Sequence, residues 1–179
     1  MRDEILRCLP RQFVFDVLEN TDAAFLGAKR VVDDVVGCEE PERAQMLGQH
    51  RHWGQEVGFR RAARSNELRI MVPHTTPKGG RFSLVQAGKF VLARAKISTE
   101  RSILKPSKYM RSLALHNRFL EPYQWYLFLE ELDLPTDIIF GLVVTVGPPH
   151  WQEEVRPKYI GIGIPTSNLS GWHFRESLD

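Results

Sequence analysis

Apolar positions recur at helical spacing through the first 66 residues and at strand spacing through most of the remainder. A short helix ends near Pro10, and a second runs from about Arg11 to Leu18. Asn20, Thr21 and Asp22 are capping residues for a third, in which Ala24, Phe25, Ala28, Val31, Val32 and Val35 share one face. Gly37 suits its C-terminal end. Glu40-Pro41-Glu42 opens a fourth helix, with proline in the first turn and acids at the positive end of the dipole. That helix continues to about Arg64, although Gly48, Gly54 and Gly58 each cost about 1 kcal/mol relative to alanine in a helix interior.

Beyond Ser65-Asn66 the period changes. Leu68–Val72, Arg81–Gln86 and Lys89–Ile97 read as strands, with Ala87-Gly88 as a tight hairpin and Thr76-Pro77-Lys78-Gly79-Gly80 as a turn. Pro106–Leu120 reads as a helix with Met110, Leu113 and Ala114 on one face. Tyr123–Leu132, Ile138–Val146 and Lys158–Ile164 are three further strands, and Trp172 and Phe174 predict that part of the polar tail packs down. The expected class is therefore α+β. A helical N-terminal region, residues 1–66, is followed over 67–179 by a mostly antiparallel sheet with one inserted amphipathic helix, in a single domain spanning 1–179. The order helix, helix, strand, glycine-rich turn, strand also permits a winged helix-turn-helix.

Composition narrows the setting. With 42% hydrophobic and 26% charged residues the chain is ordinary for a folded protein. Its longest apolar run, Ile138–Val146, is too short for a spanning helix, which needs about 20 residues. The charged N-terminus does not read as a secretory signal, and Cys8 and Cys38 are too few for a disulfide framework. These features predict a soluble cytoplasmic protein with free, buried thiols and no membrane partner.

The net charge of +2 conceals a strong segregation. Residues 1–66 hold 10 Lys and Arg against 11 Asp and Glu. Residues 67–120 hold 11 against 2, and residues 121–179 hold 3 against 9. Period-2 alternation in Lys89–Ile97 places Phe90, Leu92, Arg94 and Lys96 on one face and Val91, Ala93, Ala95 and Ile97 on the other. Lys105, Lys108, Arg111 and Arg118 share the side of the inserted helix opposite Met110. Lys78 and Arg81 bracket the glycine tip. An exposed cationic surface of this kind attracts phosphodiesters and releases their counterions. Phe82, Phe90, Tyr109 and Phe119 lie among the charges, where aromatic rings stack on unpaired bases.

The expected function is therefore binding of nucleic acid, DNA or RNA, or another polyanion. The contacts would come from Lys78, Arg81, Lys89, Arg94, Lys96, Lys105, Lys108, Arg111 and Arg118. Neutralisation of this block by acidic residues of the same chain is the plain structural alternative. Two other functions compete. Glu130, Glu131, Asp133, Glu153 and Glu154 would give an acidic face to a protein partner or a second copy of the chain. Asp137, with Glu154-Val155-Arg156 and Lys158, resembles the metal-binding core of the PD-(D/E)xK nucleases and implies a metal-dependent phosphodiesterase. Arg156 stands where that pattern has lysine, and Pro157 interrupts the strand. No His-Glu-x-x-His, paired-cysteine or Walker spacing occurs, so no cofactor is expected.

Overall fold

The computed structural model describes residues 1–37, 39–75, 80–99, 104, 107–121, 138–148 and 155–178. Three helices open it: α1 (Arg2–Cys8), α2 (Arg11–Asp33) and α3 (Glu42–Ser65). Strands β1 (Arg69–Met71), β2 (Leu84–Ala87) and β3 (Phe90–Ile97) follow, then α4 (Lys108–Ala114) running into a 3-10 turn, Leu115–Leu120. Strands β4 (Ile139–Val146), β5 (Tyr159–Pro165) and β6 (Trp172–Ser177) complete a six-stranded sheet in sequential order. Neighbouring strands are antiparallel except β3 and β4, which run parallel. The class is α+β.

Two elements differ from the sequence reading. The segments assigned to a second and a third helix form one continuous helix, α2. Thr21 is buried within it instead of capping a new start, and the Asn20 amide donates to the Asp16 carbonyl one turn back at 2.6 Å. Nothing between Leu18 and Ala24 breaks a helix: no proline or glycine occurs there. The tail, in turn, supplies β6, whose pairing with β5 satisfies that strand's outer edge. The proposed strand Tyr123–Leu132 lies outside the described residues, as does Cys38, whereas Cys8 is a half-buried free thiol.

Helices α2 and α3 form a long antiparallel hairpin, unlike the short paired helices of a helix-turn-helix. The glycines of α3 explain how they approach. A Cβ on Gly58 would stand 2.8 Å from that of Asn20, and one on Gly54 would stand 3.0 Å from that of Ala24. Close contact of the two backbones offsets the helical cost of glycine.

The sheet is buried on both faces, because alternate residues of its strands enter two cores. Phe90 and Leu92 of β3, Val143 of β4 and Ile160 and Ile162 of β5 pack against Ile5, Phe13, Val17, Phe59 and Ala62 of the helices. Val91, Ala93, Ala95 and Ile97, with Phe140, Leu142 and Val144, pack on the other face against Met110 and Ala114 of α4 and against Leu169. Asn117 in the 3-10 turn fixes this second layer. Its buried amide donates to the Phe140 and Pro165 carbonyls and its oxygen accepts from the Phe140 N–H, each at 2.8 Å. Under α1 the helix-covered face leaves an apolar cavity of about 470 Å³ lined by Ile5, Leu9, Phe13, Leu92 and Val143.

Candidate functional site

The sheet face toward α2 and α3 changes character along its parallel pair. Leu92 and Val143 are apolar, but two residues on, Arg94 and Thr145 occupy the same face, and Lys96 lies across from Thr145 in the register. Helix α3 meets them with residues of its core-facing side. Phe59 and Ala62 continue toward the helix N-terminus as Gln55 and Arg51, at spacings of one turn, with Glu56 beside them. The N-terminal half of this buried face is thus polar. With Phe25 of α2, Tyr109 and Met110 of α4 and Gly147 after β4, these residues line a cavity of about 210 Å³ at the C-terminal ends of β3 and β4. In open α/β sheets, ligands commonly sit outside the carboxyl ends of parallel strands.

At the buried end, Arg94 is 9% exposed and Glu56 8%. Arg94 Nη1 donates to Glu56 Oε1 at 3.4 Å, and its Nη2 donates to Gln55 Oε1. The other Glu56 oxygen accepts the Ser83 N–H at 3.1 Å and lies 3.8 Å from Arg60 Nη1, which itself donates to Ser83 Oγ at 2.8 Å. Burial pushes the Arg94 guanidinium down to about 10, opposed by the Glu56 charge, so it remains a cation at neutral pH. Burial and, secondarily, the Glu56 charge push the Tyr109 hydroxyl above its ordinary value, and burial lowers Arg51.

Two buried groups on this cavity lack a hydrogen-bond partner among the described residues. Arg51, 8% exposed, lays its guanidinium 4.8 Å from the centre of the Phe25 ring, and its Nε–H has no acceptor. Thr145, 1% exposed, has an unpartnered hydroxyl. An unsatisfied buried donor costs about 1–3 kcal/mol. Three cations (Arg51, Arg94 and Lys96) face one carboxylate, Glu56, leaving an excess of two positive charges. Chemically, the arrangement suits an anion with several acceptor oxygens.

The structure divides the nine predicted contact residues. Lys78 and Lys105 lie outside the described residues. Arg94 is not on the outer surface. The alternation of β3 is as its sequence predicts, but its mixed face packs under α3, which places the guanidinium against Gln55 and Glu56. Lys89 Nζ lies 2.7 Å from Glu4 Oε1, and Arg118 is half-buried. Arg81, Lys96, Lys108 and Arg111 are exposed and form no ion pair among the described residues.

Three of these four are linked to Tyr109, one through the cavity lining and two through neighbours in the chain. Lys96 lines the cavity with it, Lys108 precedes it, and Arg81 precedes Phe82, whose ring stacks on Tyr109 with centroids 3.8 Å apart. That stack occupies Phe82, Phe90 is fully buried, and Phe119 is exposed. The acidic residues Glu130, Glu131, Asp133, Glu153 and Glu154, and Asp137 of the nuclease-like pattern, lie outside the described residues. Among the described residues, no cluster of three His, Cys, Asp or Glu side chains could hold a metal ion, and no helix is long and apolar enough to cross a membrane.

Sequence reasoning missed Arg51, Gln55, Glu56 and Thr145. A signal for the helical trio exists: Arg51 and Gln55 extend the stripe that Phe59 and Ala62 define, so polar side chains hold core positions. Comparison with known proteins finds no matching family model, no matching curated protein and no matching solved structure.

Proposed function

We propose that the protein binds nucleic acid at the end of the sheet where β3 and β4 terminate, through Arg81, Lys96, Lys108 and Arg111. One observation carries the reading: these exposed cations have no carboxylate partner among the described residues, and one of them, Lys96, lines a cavity that is itself cationic. Phosphates gain most from cations that no acid already neutralises. Lys89 drops out of the contact set because Glu4 holds it, and Arg94 leaves the outer surface for the buried wall of the cavity. The same reading places the protein in the cytoplasm with its nucleic acid, and it requires no cofactor.

Fluorescence anisotropy with short single-stranded and duplex oligonucleotides, at about 50 and about 200 mM salt, tests this. The expected result is binding at the lower salt that weakens steeply at the higher. Lys108→Gln and Arg111→Gln should each lower the slope of log affinity against log salt by about 1, whereas Lys89→Gln should leave it unchanged. No binding at the lower salt overturns the proposal.

A further inference from the structure

The polar cavity asks for more than a passing phosphodiester. Its inner end is closed by the buried Arg94–Glu56 pair and by Thr145, and its exposed members, Lys96 and His52, lie at the opening. A strand passing along the surface would have to bring both of its neighbouring nucleotides into about 210 Å³ to set a phosphate beside these buried residues. A terminal group enters end-on. The charge fits as well. The excess of two positive charges matches a phosphate monoester, which carries about −1.5 to −2 at neutral pH, better than a diester or a carboxylate at −1. A monoester also brings three acceptor oxygens for the Arg51 Nε–H and the Thr145 hydroxyl, two buried groups lining this cavity that have no hydrogen-bond partner among the described residues.

From this geometry we infer that the cavity is a binding site for a phosphate monoester, held by Arg51, Arg94 and Thr145 with Lys96 at its mouth. On the nucleic-acid reading above, on which this choice of source rests, the monoester is the terminal phosphate of a strand. A phosphorylated small molecule offers the same chemistry. Glu56 has a positioning role: by accepting from Arg94 and from the Ser83 N–H it fixes the guanidinium that faces the cavity.

The test compares one short oligonucleotide with a 5′-phosphate, with a 3′-phosphate and with neither, at constant ionic strength, alongside a mononucleotide and inorganic phosphate. The expected result is a preference of about tenfold or more for one phosphorylated end over the unphosphorylated strand, in line with a charge-assisted hydrogen bond. Inorganic phosphate should compete for that preference. Arg51→Gln should abolish it while leaving the unphosphorylated strand bound as before. Thr145→Val, which keeps the side-chain shape, should reduce it severalfold and guards against a folding defect in the arginine variant. Equal binding of all three strands, unaffected by either substitution, overturns the monoester site and leaves nucleic-acid binding standing. Mononucleotide binding that depends on Arg51, without binding of any strand, supports the site and overturns the nucleic-acid reading. No binding of any phosphorylated probe overturns both.

Discussion

Two cavities lie on the helix-covered face of the same sheet, and one step of the strand repeat separates their chemistry. Leu92 and Val143 line the larger, beneath α1, while Arg94 and Thr145, the next residues on that face, line the smaller, beneath α3. The strands, the face and the layer of helices are shared. What differs is the helix above: Phe13 and Val17 of α2 cover the apolar end, and Arg51, Gln55 and Glu56 of α3 cover the polar end. An apolar cavity makes no directional demand on its contents, because dispersion contacts are non-specific. A cavity with unpartnered buried donors does, since only an acceptor removes their desolvation cost. This difference is why we propose the smaller cavity, despite its size, as the binding site.

The contrast can be broken most severely at the buried ion pair. Glu56→Ala leaves the Arg94 guanidinium buried without its carboxylate and should lower stability by about 3–5 kcal/mol in urea unfolding. Combining Glu56→Gln with Arg94→Met should recover most of that loss, because a neutral, well-packed pair avoids the desolvation of both charges. At the apolar end the comparable change is Leu92→Ala, which enlarges a cavity already present and should cost about 3 kcal/mol in the same assay.

A smaller pair of substitutions exchanges the chemistry of the two ends. Val143→Thr places a hydroxyl in an apolar lining and should destabilise by about 2 kcal/mol. Thr145→Val removes a hydroxyl without a partner and should stabilise by up to about 1 kcal/mol, visible as a raised melting temperature. Losses at both positions would show that Thr145 has a structural partner and that the two ends do not differ as described.

The mildest effect belongs to acid. A hydrogen bond from Lys89, with its charge, holds the exposed Glu4 carboxyl below the 4.5 of an ordinary glutamate. A depressed carboxyl contributes stability above its unfolded value and loses it as pH falls through the folded value. Attachment of α1 should therefore loosen only below about pH 4.5, with faster amide exchange in Ile5–Leu9 than in α3. Lys89→Gln should lessen that pH dependence, with the Arg2–Glu176 pair keeping the rest.

Much of the architecture was legible because period carries it. Alternation in β3 assigned each residue to its face, and the run Ile138–Val146 marked a strand, which the structure buries on both sides. The join within α2 was hidden by residues that cap a helix or sit inside one equally well, and burial of Thr21 decided between those roles. The site was half legible. Period placed Arg94 and Lys96 on the mixed face of β3, but whether that face met water depended on α3, at positions some 40 residues earlier in the chain, a long-range pairing that no local pattern encodes. Charge counting treated Arg94 and Lys108 alike. Packing separates them, one held against Glu56 and the other exposed beside Tyr109.

The Nε–H signals of arginine in a nitrogen-15 correlation spectrum test the central claim most directly, because one spectrum reports both ends of the sheet face. On titration with an oligonucleotide carrying a terminal phosphate, the Arg51 and Arg94 signals at the polar cavity should shift and become protected from solvent exchange. Those of Arg2 and Arg11, which border the apolar cavity, should stay in place. Movement at Arg2 and Arg11 equal to that at Arg51, or no movement at Arg51 while the oligonucleotide is bound, would contradict the account.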